Sequence, residues 1–92
     1  MVEVRTLENR IREVEGFEVR VKWPDGTDVR SDYSGAHSYR RKRASKNNWT
    51  IYKWIENSFK KSNPHFNVEV LLRNGDVAKP LNIKLSTVRD TY

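Results

Sequence analysis

The sequence predicts a small α+β domain in which helices pack on one face of an antiparallel sheet. Strict alternation of apolar and polar residues indicates two strands, and apolar residues at helical spacing indicate two helices. Residue types typical of tight turns follow both strands. The 92 residues suit a single domain with one modest core. The predicted order is α-β-β-α-β-β, with no linker and no internal repeat.

The first predicted helix covers residues 6–15. Its apolar residues form one narrow stripe, which an earlier valine extends: Val4, Leu7, Ile11 and Val14. Thr6 is suited to cap the start of the helix, and Gly16 can end it in the left-handed conformation. We expect so narrow a stripe to pack at an edge of the sheet or against a second copy of the chain.

The clearest strand is predicted over residues 17–23, where apolar and charged side chains alternate strictly. Residues 24–27, Pro-Asp-Gly-Thr, have the composition of a tight turn. A return strand over residues 28–33 would complete the first hairpin, although its own pattern is weak.

Residues 34–48 lack periodicity and are rich in serine, glycine, asparagine and basic residues. We expect a long, mobile loop, since loops of this length are usually functional or disordered. The main helix is predicted over residues 49–62, capped by Asn48 or Thr50 and ended by Pro64. Its apolar face consists of Ile51, Trp54, Ile55 and Phe59.

A second hairpin is predicted towards the C-terminus. Residues 66–72 alternate again, and Asn74-Gly75 in the turn that follows is a strong hairpin signal. The return strand would begin at Val77, and Pro80 should interrupt it or place it at an edge of the sheet.

Charge is distributed unevenly along the chain, whose net charge is +6. Residues 37–61 hold eight lysines or arginines and one glutamate, whereas the remaining residues hold 10 basic and 11 acidic side chains. A localised excess of this kind is the electrostatic footprint of a surface that binds a polyanion.

The basic stretch predicts a site for DNA or RNA. Its arginines and lysines would grip phosphate groups, and Tyr39 or Trp49 would stack on bases. The unpaired amides at the start of the main helix would supply further donors to phosphate. The predicted site comprises Tyr39, Arg40, Arg41, Lys42, Arg43, Lys46, Trp49, Lys53, Lys60 and Lys61.

Other interpretations of the same residues stay open. A basic run in a loop is often only solvated surface, and it also has the composition of a nuclear localisation signal. Arg43-Ala44-Ser45 resembles a site for a basophilic kinase. Trp49 could instead pack back on the helix as a hydrophobic staple.

The sequence favours neither catalysis nor a bound metal or organic cofactor. His37 and His65 are the only histidines, and neither has a Cys, Asp or Glu at metal-ligand spacing. No nucleophile elbow and no Gly-rich phosphate loop is present. The remaining large aromatic residues of the apolar faces, Trp23, Trp54 and Phe59, are expected in the core. We therefore expect a binding protein and not an enzyme.

Composition also indicates a compartment. The chain has no cysteine, which excludes disulfides and disfavours a small secreted scaffold. No apolar run is long enough to span a bilayer, and residues 1–5 lack the apolar stretch of a signal peptide. We expect a cytoplasmic protein with no membrane association.

A protein-interaction or regulatory module is the second hypothesis, with an acidic partner or a second copy of the chain. The stripe on the first helix and an unpaired sheet edge would supply the contact. Small proteins of phages and mobile elements often have this size and charge, so the hypothesis includes such an origin. Nucleic-acid binding should weaken steeply with salt and be lost when Arg40, Arg41 and Arg43 become alanine. A tight dimer without nucleic-acid affinity would favour the second hypothesis.

Overall fold

The computed structural model describes all residues from 1 to 92. Its elements are α1 (Val4–Glu15), β1 (Glu18–Lys22), α2 (Ile51–Trp54), a π-helical turn (Ile55–Phe59), α3 (Lys60–Ser62), β2 (Asn67–Leu71) and α4 (Leu85–Arg89). The segments from α2 to α3 are continuous and are called the central helix below. The mixed α+β class is confirmed, but the order is α-β-α-β-α and the sheet has two strands.

The two strands pair antiparallel, with Val19 opposite Val70 and Val21 opposite Val68. These four valines are buried, whereas Arg20 on the opposite face is exposed. Each strand is the first arm of a predicted hairpin. The sheet therefore pairs the first arms of the two predicted hairpins with each other, and neither first arm pairs along its length with its own return arm.

The two predicted return strands, over residues 28–33 and from Val77 onward, are wrong. Both turns do form, and their glycines have φ angles of 92° and 91°. Beyond the turns, only Asp28 and Val77 pair with their strands, each through a single bridge. The residues after Asp28 lack an alternating apolar pattern, and Pro80 has no N–H to donate, so neither arm continues the ladder.

Helix α1 begins at Val4, two residues before the predicted start. The Val4 N–H donates to the carbonyl of Tyr33 at 2.9 Å, and the next N–H donates to the carbonyl of Ser31 at the same distance. Carbonyls from a distant segment thus satisfy first-turn donors that a side-chain cap would otherwise take. Thr6 lies inside the helix, and Gly16 ends it as predicted, with φ 82°.

The apolar stripe of α1 is buried within the chain itself. Val4, Leu7 and Ile11 are fully buried in a core of 19 residues that includes both strands and the central helix. A second copy of the chain therefore has no access to the part of the stripe on which the dimer hypothesis relied. Trp54 and Phe59 are also fully buried, as predicted. None of the helices combines the length and the apolar composition that crossing a membrane requires.

Candidate nucleic-acid interface

Residues 34–48 contain no helix or strand, yet the fold holds them at several points. Asn63, which ends the central helix, is fully buried. Its side-chain amide donates to the His37 carbonyl at 3.0 Å and accepts from the His37 N–H at 2.8 Å. Tyr39 and Ser45 are buried as well. Mobility stays a prediction for the residues between these anchors.

Tyr39 and Ser45 are held by the buried carboxylate of Glu15. This carboxylate accepts from the Tyr39 hydroxyl at 2.5 Å and from the Ser45 N–H and hydroxyl at 2.8 and 3.1 Å. It also accepts from the Arg89 guanidinium at 2.9 Å, while the Tyr39 hydroxyl accepts from Trp54 Nε1 at 3.0 Å. Burying a carboxylate is costly unless its oxygens are hydrogen-bonded. These four donors explain why the loop folds over the C-terminal end of α1.

The structure gives Tyr39 a different role from the predicted one. Its side chain is 3 % exposed and its hydroxyl is engaged on both sides, so no ring face is presented to a base. Burial and the neighbouring Glu15 carboxylate raise the pKa of the Tyr39 hydroxyl well above its usual range. The hydroxyl therefore keeps its proton at physiological pH and continues to donate to Glu15.

A cleft of about 560 Å³ opens between the loop and the central helix. Three of the predicted cations line it: Arg40, Arg41 and Lys61. Both histidines of the chain also line it, with ring centroids 6.2 Å apart. The other lining residues are Tyr39, Asn57, Ser58, Ser62 and Pro64. No aspartate or glutamate lines the cleft, so its walls are uniformly neutral or positive.

Two buried side-chain polar atoms in the chain have no hydrogen-bond partner, Ser58 Oγ and Arg41 Nε. Both residues line the cleft. Ser58 lies in the π-helical turn, a kind of distortion that recurs at functional sites. Arg41 Nε is 3.8 Å from Glu15 Oε2, too far for a hydrogen bond. A buried polar group without a partner costs about 1–3 kcal/mol, so a ligand that pairs with it gains affinity.

Trp49 lies beside the cleft with two cations over its ring. The Arg41 Cζ atom is 5.5 Å and the Lys53 Nζ atom 5.1 Å from the ring centroid. The rest of the side chain packs against the core. Cation–π attraction thus positions Arg41 at the cleft wall. A base would stack on Trp49 only by displacing one of the two cations.

The remaining predicted cations lie outside the cleft. Lys42, Arg43 and Lys46 are exposed on the loop. Lys60 lines a separate and more apolar groove, together with Lys22 and several residues of β2 and its turn. The structure therefore separates Lys60 from Lys61, its neighbour in the sequence.

The fold leaves most cations of residues 37–61 without a carboxylate partner. Of these eight, only Arg41 has a carboxylate oxygen within 4.0 Å. Six of the ten cations elsewhere form such pairs: Arg5, Arg10, Arg12, Lys22, Arg30 and Arg89. Tertiary structure thus sharpens the charge asymmetry of the sequence, because it neutralises cations mainly outside the basic stretch.

The first amides of the central helix are already occupied. The Ile51 N–H donates to the Ile83 carbonyl at 2.9 Å. The Tyr52 N–H donates to the Leu81 carbonyl at the same distance, and the third N–H donates to the Thr50 hydroxyl at 3.1 Å. Capping by Thr50 is confirmed. The expectation that these amides bind phosphate is wrong, because the C-terminal segment supplies their acceptors.

Sequence reasoning misses three residues that shape this site, namely Glu15, Ser58 and Asn63. Ser58 does carry a signal: it lies seven residues after Ile51 and four after Trp54, so helical spacing puts a polar residue on the apolar face. Glu15 and Asn63 carry none, because their partners are distant in the sequence.

No group of three or more His, Cys, Asp or Glu side chains converges in a way that could hold a metal ion. The cleft is therefore described by its cations, its histidines and its two unpartnered polar atoms. Comparisons with known protein families, with curated proteins and with solved structures give no match to this chain.

Proposed function

We propose that the protein binds nucleic acid through phosphate groups, at the cleft lined by Arg40, Arg41 and Lys61. The observation that carries the proposal is the positive charge of the cleft, where three cations and two histidines converge without a carboxylate. A surface of this kind neutralises phosphates and releases their counterions. Contacts to phosphate position the protein without reading base sequence.

The surroundings of the cleft support the same proposal. Lys42, Arg43 and Lys46 are exposed and have no carboxylate within ion-pair distance, so they extend the positive surface along the loop. Lys53, whose Nζ lies over the Trp49 ring, extends it along the central helix. A strand that enters the cleft would follow these cations outward. Lys60 is not part of the proposed surface, and Tyr39 presents no ring face to it for stacking.

The alternative, a protein-interaction module, keeps one observation in its favour. A groove of about 660 Å³ lies between the central helix and β2, and Tyr52 and Leu81 expose apolar surface there. Exposed apolar patches mark interaction sites when they are large enough. Size-exclusion chromatography with light scattering tests this alternative. A tight dimer with no nucleic-acid affinity would favour it.

Fluorescence anisotropy with labelled single-stranded DNA, duplex DNA and RNA tests the proposal. We expect micromolar or tighter binding at low salt that weakens steeply towards physiological salt. Each phosphate contact contributes a slope of about −0.7 on single strands in a plot of log affinity against log salt. A protein that binds none of the three at low salt contradicts the proposal.

A pair of double variants with equal charge change locates the binding surface. Replacing Arg40 and Lys61 with alanine should weaken binding and flatten the salt slope by about 1.4 on single strands. The matched control replaces Arg73 and Lys79, which are exposed, unpaired and outside the cleft. Equal losses in the two double variants would mean that net charge, and not the cleft, governs binding.

A further inference from the structure

We propose that the cleft recognises the phosphate monoester at the end of a nucleic-acid strand. This inference rests on the proposed function and adds which part of the strand enters. It starts from Ser58 Oγ and Arg41 Nε, the two buried side-chain polar atoms that lack a partner. Both belong to residues that line the same cleft, which also contains Arg40 and Lys61. The cleft therefore contains both the polar atoms that lack a hydrogen-bond partner and cations that lack a carboxylate partner.

The shape of the ligand follows from the shape of the cleft. An internal phosphodiester has two free oxygens and is flanked by a sugar on each side, so it suits an open, exposed surface. A terminal monoester has three free oxygens and one flanking sugar, and it can enter a concave site end-on. It also carries a charge of about −1.5 to −2 at neutral pH, which matches several convergent cations.

Contacts with neighbouring side chains position Arg41 for this ligand and leave its Nε–H group free to donate. The Glu15 carboxylate, 3.8 Å away, and the Trp49 ring, 5.5 Å away, hold the guanidinium by charge. Arg89 differs, because its guanidinium makes four hydrogen bonds, to Glu15, Ser45 and Asn47. Arginine binds phosphate oxygens through paired donors, and such charge-assisted bonds are the strong ones.

Entry of the ligand requires a small movement of side chains at the cleft. The two unpartnered atoms are shielded from solvent, while the Arg41 side chain as a whole is 37 % exposed. The Ser58 hydroxyl can rotate towards an oxygen that reaches it. The charge of the Glu15 carboxylate is offset by its ion pair with Arg89 at 2.9 Å, which reduces its repulsion of the ligand.

Three oligonucleotides of identical sequence, each labelled at an internal position, test the inference. One carries a 5′-phosphate, one a 3′-phosphate, and one a hydroxyl at both ends. We expect a phosphorylated strand to bind the wild-type protein at least tenfold more tightly than the hydroxyl strand, as hydrogen bonds to a charged group would give. Ser58→Ala should lower that ratio, because it removes one donor to the phosphate while the cations of the cleft stay in place.

Ser62→Ala is the matched control. Ser62 lines the same cleft, but its hydroxyl already donates to the Phe59 carbonyl at 3.2 Å. This variant should keep the wild-type ratio. Ser58→Ala removes no hydrogen bond of the fold, and a denaturation curve showing at least the wild-type stability verifies that the variant is folded.

The outcomes separate this inference from the proposed function. Equal wild-type affinity for all three strands overturns the inference and leaves nucleic-acid binding intact. A ratio that Ser58→Ala leaves at the wild-type value overturns the assignment to Ser58 and this cleft. Competition by inorganic phosphate or a mononucleotide as strong as that of the phosphorylated strand overturns the strand end as the ligand. Failure of every strand to bind at low salt overturns both proposals.

Discussion

Glu15 and Ser58 are polar residues that the fold buries about equally, yet their surroundings differ. The Glu15 carboxylate receives four hydrogen bonds, which join the end of α1 to the loop and to the C-terminal helix. The Ser58 hydroxyl receives and donates none. Arg41 is 3.8 Å from Glu15 Oε2 and lines the same cleft as Ser58.

The difference separates stability from binding. A buried group with all its partners contributes to the folded state, and removing one partner leaves the others unpaired. A buried polar group without a hydrogen-bond partner lowers stability and is rare in folded proteins. Binding of a ligand is one explanation for such a group. The Glu15 cluster is therefore expected to govern folding, and the cleft to govern binding.

Removing the Glu15 carboxylate should have the largest effect. Glu15→Ala leaves Arg89 and the Tyr39 and Ser45 donors without their acceptor, and breaking a buried pair of this kind costs about 3–5 kcal/mol. Urea denaturation measures the loss. Glu13→Ala is the control, because Glu13 is 70 % exposed and its pair with Arg10 is worth about 0.5 kcal/mol or less. Equal losses for the two variants would mean that the cluster does not hold the loop.

Tyr39→Phe should have an intermediate effect on stability and none on binding. The change removes the hydroxyl between Glu15 and Trp54 Nε1, which costs about 1–3 kcal/mol because both partners stay buried. Affinity for single-stranded DNA should stay at the wild-type value, since the ring is not at the surface. Tyr52→Phe, at an exposed position, is the control for stability. Loss of affinity without loss of stability would show that the Tyr39 hydroxyl contacts the ligand.

Two serine-to-alanine changes should affect the free energy of unfolding differently: one should lower it and the other should not. Ser45→Ala removes a hydroxyl that donates to Glu15 and should cost about 0.5–1.5 kcal/mol. Ser58→Ala removes a hydroxyl with no partner, so the free energy of unfolding should stay constant or rise by up to about 1 kcal/mol. Urea denaturation of both variants under identical conditions compares them. A loss for Ser58→Ala as large as that for Ser45→Ala would show that Ser58 is satisfied within the fold.

Replacement of Glu8 should have the smallest effect on stability. Glu8 is a partly buried residue of α1 whose carboxylate accepts a single hydrogen bond. It accepts from the Val21 N–H at 3.0 Å, and burial raises its pKa above the usual value. The fold therefore prefers the protonated form, and the stability that Glu8 contributes at acid pH is lost as pH rises through the raised pKa. Glu8→Gln can keep the hydrogen bond without the charge. Its advantage over wild type should be small, present at pH 7 and absent near pH 4, as urea denaturation at both values would show.

Local patterns in the sequence determined the elements that need only neighbouring residues. The alternation around Val19 and Val21 specified β1, and the spacing of Ile51 and Trp54 specified the central helix. Gly16 ended α1 because only the local backbone decides a left-handed cap. The excess of positive charge in residues 37–61 was also readable directly, since charge belongs to the residue and not to its contacts.

Only the tertiary structure decided which distant groups meet. β1 pairs with β2 and not with its own return arm, because burial of the valine face favours a partner with a matching apolar pattern. The carbonyls of Tyr33 and Ile83 occupy helix-start amides that the sequence left free for other acceptors. Tyr39 turned inward because its hydroxyl donates to the buried Glu15 carboxylate, 24 residues away. Hydrogen bonds between distant segments depend on the tertiary arrangement, so no local pattern encodes them, and they hold the loop that forms one wall of the cleft.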